Sequence, residues 1–335
     1  MNEKIDFVIL WVDGNDEKWL KEKNKYKKTE KNDITNNVNR YRDWDLLKYW
    51  FRGVEKYAPW VNKIHFVTYG HLPQWLDTTN PKINIVKHED FIPKEYLPTF
   101  NSNVIQYYLH NIKNLTDKFV MFDDDMFILK EVKQNDFFKG DKICDVFAEI
   151  PFYSGCPGDK YPHSLLNNIQ YIRQFYSKKE VYKKNLFKYF NLKYGIKLNI
   201  KTLFAKLISP YFVGIYSQHI CQSYTKKHYE LFWKYCGEDL KKISNNKFRE
   251  NTDLTTFLIR YIELLEGDFI PRRLSFGKRY ELDESIDEVI QAIEKQKYNI
   301  VCLNDSSLNI EFEKLKTIFT SSFEKILPEK SSFEK

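Results

Sequence analysis

Three consecutive aspartates, Asp123, Asp124 and Asp125, are the strongest candidate for a chemical site in this sequence. This aspartate triad stands between two apolar segments, 118–122 and 126–128, at the end of an expected buried strand. Like charges at this spacing repel one another unless a cation or hydrogen-bond donors compensate. Mg²⁺ or Mn²⁺ would do so, because these ions take oxygen ligands and often share them with substrate phosphates. The triad therefore predicts a divalent metal beside a nucleotide diphosphate, and the alternative is a turn with one structural aspartate.

A second acidic pair, Asp13 and Asp16, flanks Gly14 at the end of another apolar segment, Ile5–Val12. An Asp-Gly sequence is also a common turn without any ligand, so this pair is weak evidence when taken alone. It gains value if the segment ends at the same edge of a sheet as the triad. Both residues are then candidates for contact with the metal or the donor.

Five other side chains fit acid–base or phosphate chemistry. His219 follows an apolar segment, and its neutral imidazole would be able to take a proton from an attacking hydroxyl, although most lone histidines are structural. Arg249 would hold a phosphate through its planar guanidinium, with Asp253 orienting it; the alternative is a surface salt bridge. Arg40 and Arg42 admit the same two interpretations.

The elements that must position these residues alternate along the chain. Strands are predicted at 5–12, 64–70, 83–86 and 118–122, and amphipathic helices at 47–57 and 104–112. Such alternation predicts an α/β fold: a Rossmann-like, mostly parallel sheet with helices on both faces. The loops after Val12, Tyr69 and Phe122 should then open onto one crevice, where ligands bind in such sheets.

The alternation is lost between 153 and 210, which predicts a mainly helical insert. It would separate an N-terminal half of the catalytic core, 1–152, from a C-terminal half, 211–335. The C-terminal half is predicted to hold a helix at 284–295, a strand at 300–303 before Asn304-Asp305, and a final helix at 312–327.

The positive charge of the chain is concentrated in the basic segment Lys178–Lys206, which holds nine lysines and one glutamate. The net charge of the chain is +7, so the remainder is nearly neutral. With its interleaved aromatic residues, the segment fits contact with an anionic membrane or an anionic glycan, and it fits a solvated lysine-rich insert equally well. Nucleic-acid binding is not expected, because the charge is confined to this segment and no recognised binding motif accompanies it.

Composition limits the classes of protein. Hydrophobic residues at 42% and charged residues at 30% exclude disordered and fibrous chains. No secretory signal or membrane-spanning segment is expected, and the five scattered cysteines favour reduced thiols. A cytoplasmic protein is predicted, with peripheral contact at the inner face of the cell membrane as an option. The sequence lacks the motifs GxGxxG, GxxxxGK[ST] and GxSxG. Their absence argues against dinucleotide sites, P-loops and hydrolase nucleophile elbows, respectively.

Four blocks of the sequence resemble the Stealth family, which includes bacterial capsule sugar-phosphate transferases and the lysosomal-targeting N-acetylglucosamine-1-phosphotransferase. They follow the family's order and spacing outside the insert. The blocks are Ile5–Asp16 with Trp11-Val12-Asp13-Gly14, Arg40–Asp125 with Pro98-Thr99-Phe100-Asn101-Ser102, the segment from His219 to Asp253 with Phe248-Arg249, and Cys302-Leu303-Asn304-Asp305.

The resemblance implies transfer of a sugar-1-phosphate from a nucleotide-sugar, most simply a UDP-sugar, to a glycan in capsule or cell-surface polysaccharide synthesis. It implies catalytic roles for His219, Asp13 and Arg249 and metal binding by Asp123, Asp124 and Asp125. The family usually has Asn-Asp-Asp at the triad, so this chain departs there. The expected substrate-binding residues are Asp16, Arg40, Arg42, Asn101, Ser102, Asp253, Asn304 and Asp305.

Two competing functions remain open at the level of sequence. In the expected reaction, a hydroxyl deprotonated by His219 attacks the sugar-linked phosphorus, and a nucleoside monophosphate leaves. In a metal-dependent glycosyltransferase, the hydroxyl would attack the anomeric carbon and a nucleoside diphosphate would leave. A non-catalytic glycan- or membrane-binding protein would account for the basic segment but would leave the acids unexplained.

Overall fold

The computed structural model describes residues 3–26, 42–152, 159–282, 285–305 and 310–335. The predicted substrate-binding residue Arg40 lies outside the described residues. The strands are β1 (Asp6–Leu10), β2 (Ile64–Thr68), β3 (Ile83–Lys87), β4 (Lys118–Phe122), β5 (Met126–Ile128), β6 (Phe138–Lys139), β7 (Lys142–Asp145), β8 (Gln222–Thr225), β9 (Phe269–Pro271), β10 (Gly277–Glu281) and β11 (Ile300–Asn304). The α-helices are α1 (Glu17–Tyr26), α2 (Leu47–Tyr57), α3 (Ser102–Tyr107), α4 (Gln134–Phe137), α5 (Tyr161–Phe175), α6 (Lys178–Tyr189), α7 (Gly195–Ile208), α8 (Lys226–Ile243), α9 (Phe257–Glu266), α10 (Ile286–Glu294) and α11 (Phe312–Ile326).

The central sheet has five strands in the order β3-β2-β1-β4-β8. The first four lie parallel to their neighbours, whereas β8 runs antiparallel to β4. β1, β2 and β4 are buried along nearly their whole length, as expected for parallel strands covered on both faces. The predicted α/β fold with a Rossmann-like, mostly parallel sheet is confirmed.

Helices cover both faces of this sheet. Trp50 of α2 packs against Phe7 of β1 and Phe122 of β4, with ring centroids 6.4 and 5.4 Å away. Tyr229 of α8 lies 5.7 Å from Phe119 of β4. Since Phe119 and Phe122 are an odd number of positions apart on one strand, they point to opposite faces. The two helices therefore lie on opposite sides of β4.

The antiparallel strand β8, which periodicity did not predict, positions His219. Gln222 at the start of β8 pairs with Met121 near the end of β4. Because the two strands run in opposite directions, residues just before β8 lie beside residues just after β4. His219 is thereby brought next to the triad, although nearly one hundred positions separate them along the chain.

A second sheet, in the order β10-β11-β5, begins at the triad itself. The triad fills the space between β4 of the first sheet and β5 of the second, so it forms the corner where the two sheets meet. The backbone N–H of Leu303 in β11 donates to the carbonyl of Asp125 at 2.8 Å. This pairing places Asn304 and Asp305, the residues that follow, beside the corner.

The described part of the predicted insert is helical and consists of α5, α6 and α7. These helices pack on the core: Tyr182, Tyr189 and Tyr194 belong to the same buried apolar cluster as the central sheet. Tyr189 contacts Phe147 at 4.3 Å and Phe269 of β9 at 5.9 Å between ring centroids. The boundaries at 152 and 210 stay predictions. None of the described helices combines the length and the apolar character needed to cross a bilayer.

A buried ion pair ties β7 to α9. Arg260 Nε donates to Asp145 Oδ2 at 2.5 Å, and its Nη2 donates to the carbonyl of Val146 at 2.7 Å. Both charged side chains are almost inaccessible to water. A guanidinium in such a place requires a compensating carboxylate, because an isolated buried charge is very costly.

We predict that Asp145→Ala lowers the free energy of unfolding by about 3–5 kcal/mol, because it leaves the Arg260 guanidinium buried without its partner. Urea denaturation followed by circular dichroism would measure the change. The matched control is Glu238→Ala, which removes one member of an exposed ion pair on α8 and should leave the midpoint unchanged. Equal midpoints for the two variants would contradict the prediction.

Candidate active site

A cavity of about 440 Å³ opens at the carboxyl ends of β1, β2 and β4. Its volume lies within the range of small-molecule sites, and its walls come from distant parts of the chain. Nine of the residues singled out from the sequence line it: Arg42, Ser102, Asp123, Asp124, Asp125, His219, Arg249, Asn304 and Asp305.

The aspartate triad forms the acidic wall of the cavity. Burial and the charge of Asp123 together raise the pKa of Asp125 to about 7. The pKa of Asp123 is also raised by burial. Asp124 is the most exposed of the three and lines the cavity. Desolvation and the charges of Asp125 and Asp123 raise its pKa well above the usual value. The wall therefore favours either a proton or a bound cation.

Two arginines oppose this acidity from other elements. Arg249 lowers the pKa of Asp123, and Arg279 of β10 lowers that of Asp125. Arg279 also forms an ion pair with Glu281 on the same strand. The charge of Arg279 is thus shared between Glu281 and Asp125, and the pKa values of Asp123 and Asp125 remain raised.

The side chains at the acidic wall offer ligand atoms that fit a divalent cation. Among the described residues, Asp125 Oδ1 is buried without a hydrogen-bond partner. Ligand atoms of Asp125, His219 and Cys302 lie within 4.8 Å of one another. The carboxylates of Asp123 and Asp125 and the His219 imidazole suit Mn²⁺, and the carboxylates alone suit Mg²⁺.

Cys302 is better described as a support for Asp125 than as a ligand. Its Sγ lies 3.3 Å from Asp125 Oδ2, in the geometry of a thiol that donates to a carboxylate. Burial and the charge of Asp125 raise the pKa of this thiol well above its usual value, so the sulfur keeps its proton. A protonated thiol is a poor ligand for a hard cation.

His219 lies in the left-handed backbone region, with φ of 51°. Its backbone N–H donates to Ser217 Oγ at 3.0 Å, which supports this turn. The rings of Tyr161 and Phe257 stand 6.4 and 6.2 Å from the imidazole. A non-glycine residue seldom adopts this conformation, so the chain holds the imidazole at the cavity at a cost in backbone energy.

Arg249 reaches the cavity beside the start of α3. Its Nε donates to Ser102 Oγ at 3.1 Å, and its Nη2 donates to the same oxygen. Ser102 is therefore occupied by the guanidinium, which it holds in place. The remaining N–H groups of such a guanidinium suit phosphoryl oxygens.

Asp253 and Asn101 lie behind the cavity wall and do not line it. Both side chains are fully buried. Asp253 Oδ2 accepts from Asn101 Nδ2 at 2.7 Å and from the backbone N–H of Glu250 at 3.1 Å, while its Oδ1 accepts from Asn246 Nδ2 at 2.9 Å. Asn101 Oδ1 in turn accepts from the N–H of Asn103 and caps α3. This hydrogen-bond network fixes the loop that carries Arg249.

Asp13 and Asp16 also stand outside the cavity lining. The N–H of Asp13 donates to His71 Nε2 at 2.8 Å, and Asp13 Oδ1 accepts from Asn15 N–H. Asp16 Oδ1 accepts from the N–H of Trp19 at 2.6 Å, which caps the first turn of α1. The described contacts of both aspartates organise the turn after β1, and their predicted roles toward substrate stay predictions.

The opposite rim is formed by Asn304 at the end of β11 and by Asp305 after it. Arg42 Nη1 lies 3.7 Å from Asp305 Oδ2, and Trp44 Nε1 donates to the same oxygen at 3.2 Å. Asn304 Nδ2 donates to Glu281 Oε2 at 2.6 Å. The contacts of Arg42 and Trp44 join the segment before α2 to the second sheet beside the cavity.

Arg279, Trp44 and Tyr161 line the cavity and were not predicted from the sequence. The role of Cys302 as a support for Asp125 was not predicted either. Arg279 belongs to β10, a short strand whose mixed residues give no clear alternation. Arg279 lies opposite Cys302 of β11, and this strand register cannot be read from the sequence. Trp44 and Tyr161 carry no pattern of their own, and only the tertiary fold brings them to the cavity.

Comparison with known proteins matches two family models, Stealth protein conserved region 1 at residues 3–31 and conserved region 2 at residues 40–146. A capsular polysaccharide phosphotransferase, WcwK of Streptococcus pneumoniae, is 42% identical over 99% of this chain and 98% of its own length. An exopolysaccharide phosphotransferase, cps2G of Lactiplantibacillus plantarum, is 37% identical over 99% and 96%.

Among solved structures, a galactosyltransferase, LgtC, in complex with donor and acceptor sugar analogs, matches with a TM-score of 0.40 and 10% identity, covering 94% of this chain and 95% of LgtC. A similarity this weak supports no argument. The sequence relatives, by contrast, align along nearly the whole chain at high identity. The resemblance seen in the four sequence blocks is thereby confirmed, and the chain belongs to the Stealth protein family.

Proposed function

We propose that this protein transfers a sugar-1-phosphate from a nucleotide-sugar, first of all a UDP-sugar, to a hydroxyl of a polysaccharide acceptor in capsule or cell-surface polysaccharide synthesis. The observation that carries the proposal is the convergence of the aspartate triad, His219 and Arg249 on one cavity. The near-full-length similarity to polysaccharide phosphotransferases supports it.

In the proposed mechanism the diphosphate of the nucleotide-sugar lies between the aspartate triad and Arg249. Asp123, Asp124 and Asp125 would hold a Mg²⁺ or Mn²⁺ at the acidic wall of the cavity. When bound, the ion supplies positive charge that neutralises the diphosphate. Arg249, held by Ser102, would bind the oxygens of the phosphoryl group that is transferred.

The proposed chemical step is an attack by the acceptor hydroxyl on the sugar-linked phosphorus. A new phosphorus–oxygen bond forms to the acceptor, and the bond to the outgoing nucleoside monophosphate breaks. The imidazole of His219 takes the proton that the hydroxyl loses. Negative charge grows on the phosphoryl and leaving oxygens during this step, and Arg249 stabilises it at one end of the cavity.

Asp253 and Asn101 would act through Arg249 without touching substrate. Their hydrogen bonds fix the 246–253 loop against α3, which keeps the guanidinium aimed at the cavity. This assigns a positioning role to both residues. Arg42, Asn304 and Asp305 at the opposite rim would contact the donor or the acceptor.

We place the reaction in the cytoplasm. The cysteines that the structure describes are free and buried, which suits a reducing compartment. The other proposed partners are the nucleotide-sugar donor and the glycan acceptor, with peripheral contact at the inner face of the cell membrane through residues 178–206.

We predict that the purified protein, given a nucleotide-sugar, Mg²⁺ or Mn²⁺ and an oligosaccharide acceptor, forms a phosphodiester and releases a nucleoside monophosphate. Phosphorus NMR would detect the phosphodiester, and anion-exchange chromatography would identify the nucleotide. Release of a nucleoside diphosphate would show that the glycosyltransferase mechanism operates instead. A reaction without acceptor serves as the control for donor hydrolysis.

We predict that His219→Asn lowers kcat by about a hundredfold or more, because the general base is lost. Asparagine is the informative replacement, since it tolerates the left-handed backbone at this position better than alanine does. Unchanged metal dependence would support the role of base, whereas a large rise in the metal concentration required would assign His219 to the metal. The control is His163→Asn, on the exposed side of α5.

We predict that Asp253→Asn raises the KM for the nucleotide-sugar by about tenfold. The new amide would present an N–H group to the Asn101 amide where a carboxylate oxygen now accepts, and the loss of this hydrogen bond would release the loop that carries Arg249. The metal concentration needed for activity should stay unchanged, since Asp253 lies outside the cavity. Initial rates at varied donor and metal concentrations would test both statements. A variant with normal KM would contradict the positioning role.

A further inference from the structure

Exposed apolar side chains are concentrated on one part of the surface. Among the described residues, ten of the fourteen large hydrophobic side chains that are exposed lie between 186 and 211. They include Phe187, Leu192 and Phe204, at 87%, 94% and 64% exposure. Soluble proteins rarely leave large contiguous apolar areas in water, so this surface is expected to be covered in use.

Helix α7 presents a complete apolar face to solvent. Ile196, Ile200, Leu203 and Leu207 recur at i, i+4, i+7 and i+11, the spacing of one helical face, and all four are exposed. The opposite face consists of Leu198, Thr202 and Ala205, which are buried against the core. The exposed side of this helix is therefore apolar, which is the reverse of an ordinary surface helix.

The rest of the fold holds α7 in this orientation. Thr202 Oγ accepts from the N–H of Glu149 at 3.0 Å on the buried face. At the end of the helix, Lys178 Nζ donates to the carbonyls of Ala205 and Ser209 at 2.8 and 2.9 Å. Lys178 is itself buried in an ion pair with Glu149 at 2.9 Å. The outward apolar face is thus a fixed feature of the packing.

Positive charge borders the apolar face on both sides. On a helical projection, Lys197 and Lys201 flank one edge of it and Lys206 flanks the other. Exposed lysines continue at 179, 183, 184 and 193, while Glu180 is the one acidic residue of the segment 178–206. An apolar stripe between rows of lysine matches the boundary between acyl chains and anionic headgroups.

We infer that α7 lies in the plane of an anionic membrane surface, with its apolar face among the acyl chains and its flanking lysines at the headgroups. The helix has 14 residues, so it is about 21 Å long and too short to cross a bilayer. A second copy of the chain is a poorer occupant, because pairing these faces would bring the lysine rows together. This inference does not rest on the proposed reaction.

The test measures sedimentation of the full chain with vesicles of phosphatidylcholine alone or of equal parts phosphatidylcholine and phosphatidylglycerol, without donor or acceptor. We expect binding to the anionic vesicles that weakens as salt is raised. The triple variant Leu203→Ser/Phe204→Ser/Leu207→Ser should lose about tenfold or more of the partition coefficient. A matched control, Leu72→Ser/Leu166→Ser/Phe175→Ser, removes three exposed apolar side chains elsewhere and should bind as the parent does.

The charge is tested by Lys197→Gln/Lys201→Gln/Lys206→Gln against Lys234→Gln/Lys241→Gln/Lys242→Gln on α8. Only the first set should weaken binding to anionic vesicles, again by about tenfold. Absence of binding, equal binding to neutral vesicles, or equal loss in both sets would overturn the inference. Light scattering that shows a dimer abolished by the apolar triple variant would overturn it in favour of self-association. Because no substrate is used, these outcomes are independent of the reaction products.

Discussion

Mutual repulsion among three carboxylates in one short turn is the constraint on which the site depends. Asp123, Asp124 and Asp125 stand where two sheets meet, in surroundings that raise their pKa values. Positive charge must come from elsewhere, and Arg249 and Arg279 approach from segments far along the chain. The loop after α8 and the strands β10 and β11 are folded around this acidic corner. In the proposed function, the metal ion that accompanies the nucleotide diphosphate adds positive charge beside the same three carboxylates.

The cavity also depends on polar groups that substrate would never touch. Asp253 accepts hydrogen bonds from several directions and thereby fixes the loop before it. The thiol of Cys302 and the N–H of Leu303 hold Asp125 from the second sheet. Such supporting bonds restrict the side chains that face the cavity, which is how a site keeps its geometry before ligands arrive. The geometry of the site therefore depends both on the residues that line the cavity and on the residues behind them.

The sequence predicted the central part of the fold well, because β1, β2 and β4 are buried strands of largely apolar residues and α2 is strongly amphipathic. It failed at β8 and β10, whose mixed polar and apolar residues carry no periodic signal. The placement of the triad at a strand end followed from the apolar segments around it. The placement of Arg279 did not, since it depends on strand register. The distinction between cavity wall and supporting layer, as for Asp253, requires coordinates.

The corner between the two sheets has a consequence for how the protein is made. Asp125 is fixed through its carbonyl by Leu303 and through its carboxylate by Cys302, which lies 177 positions later in the sequence. During synthesis the four parallel strands β1 to β4 are made before β11, so their acidic edge has no second wall until β11 follows. A nascent chain therefore carries an unfinished binding surface until β11 has been made and has paired with β5.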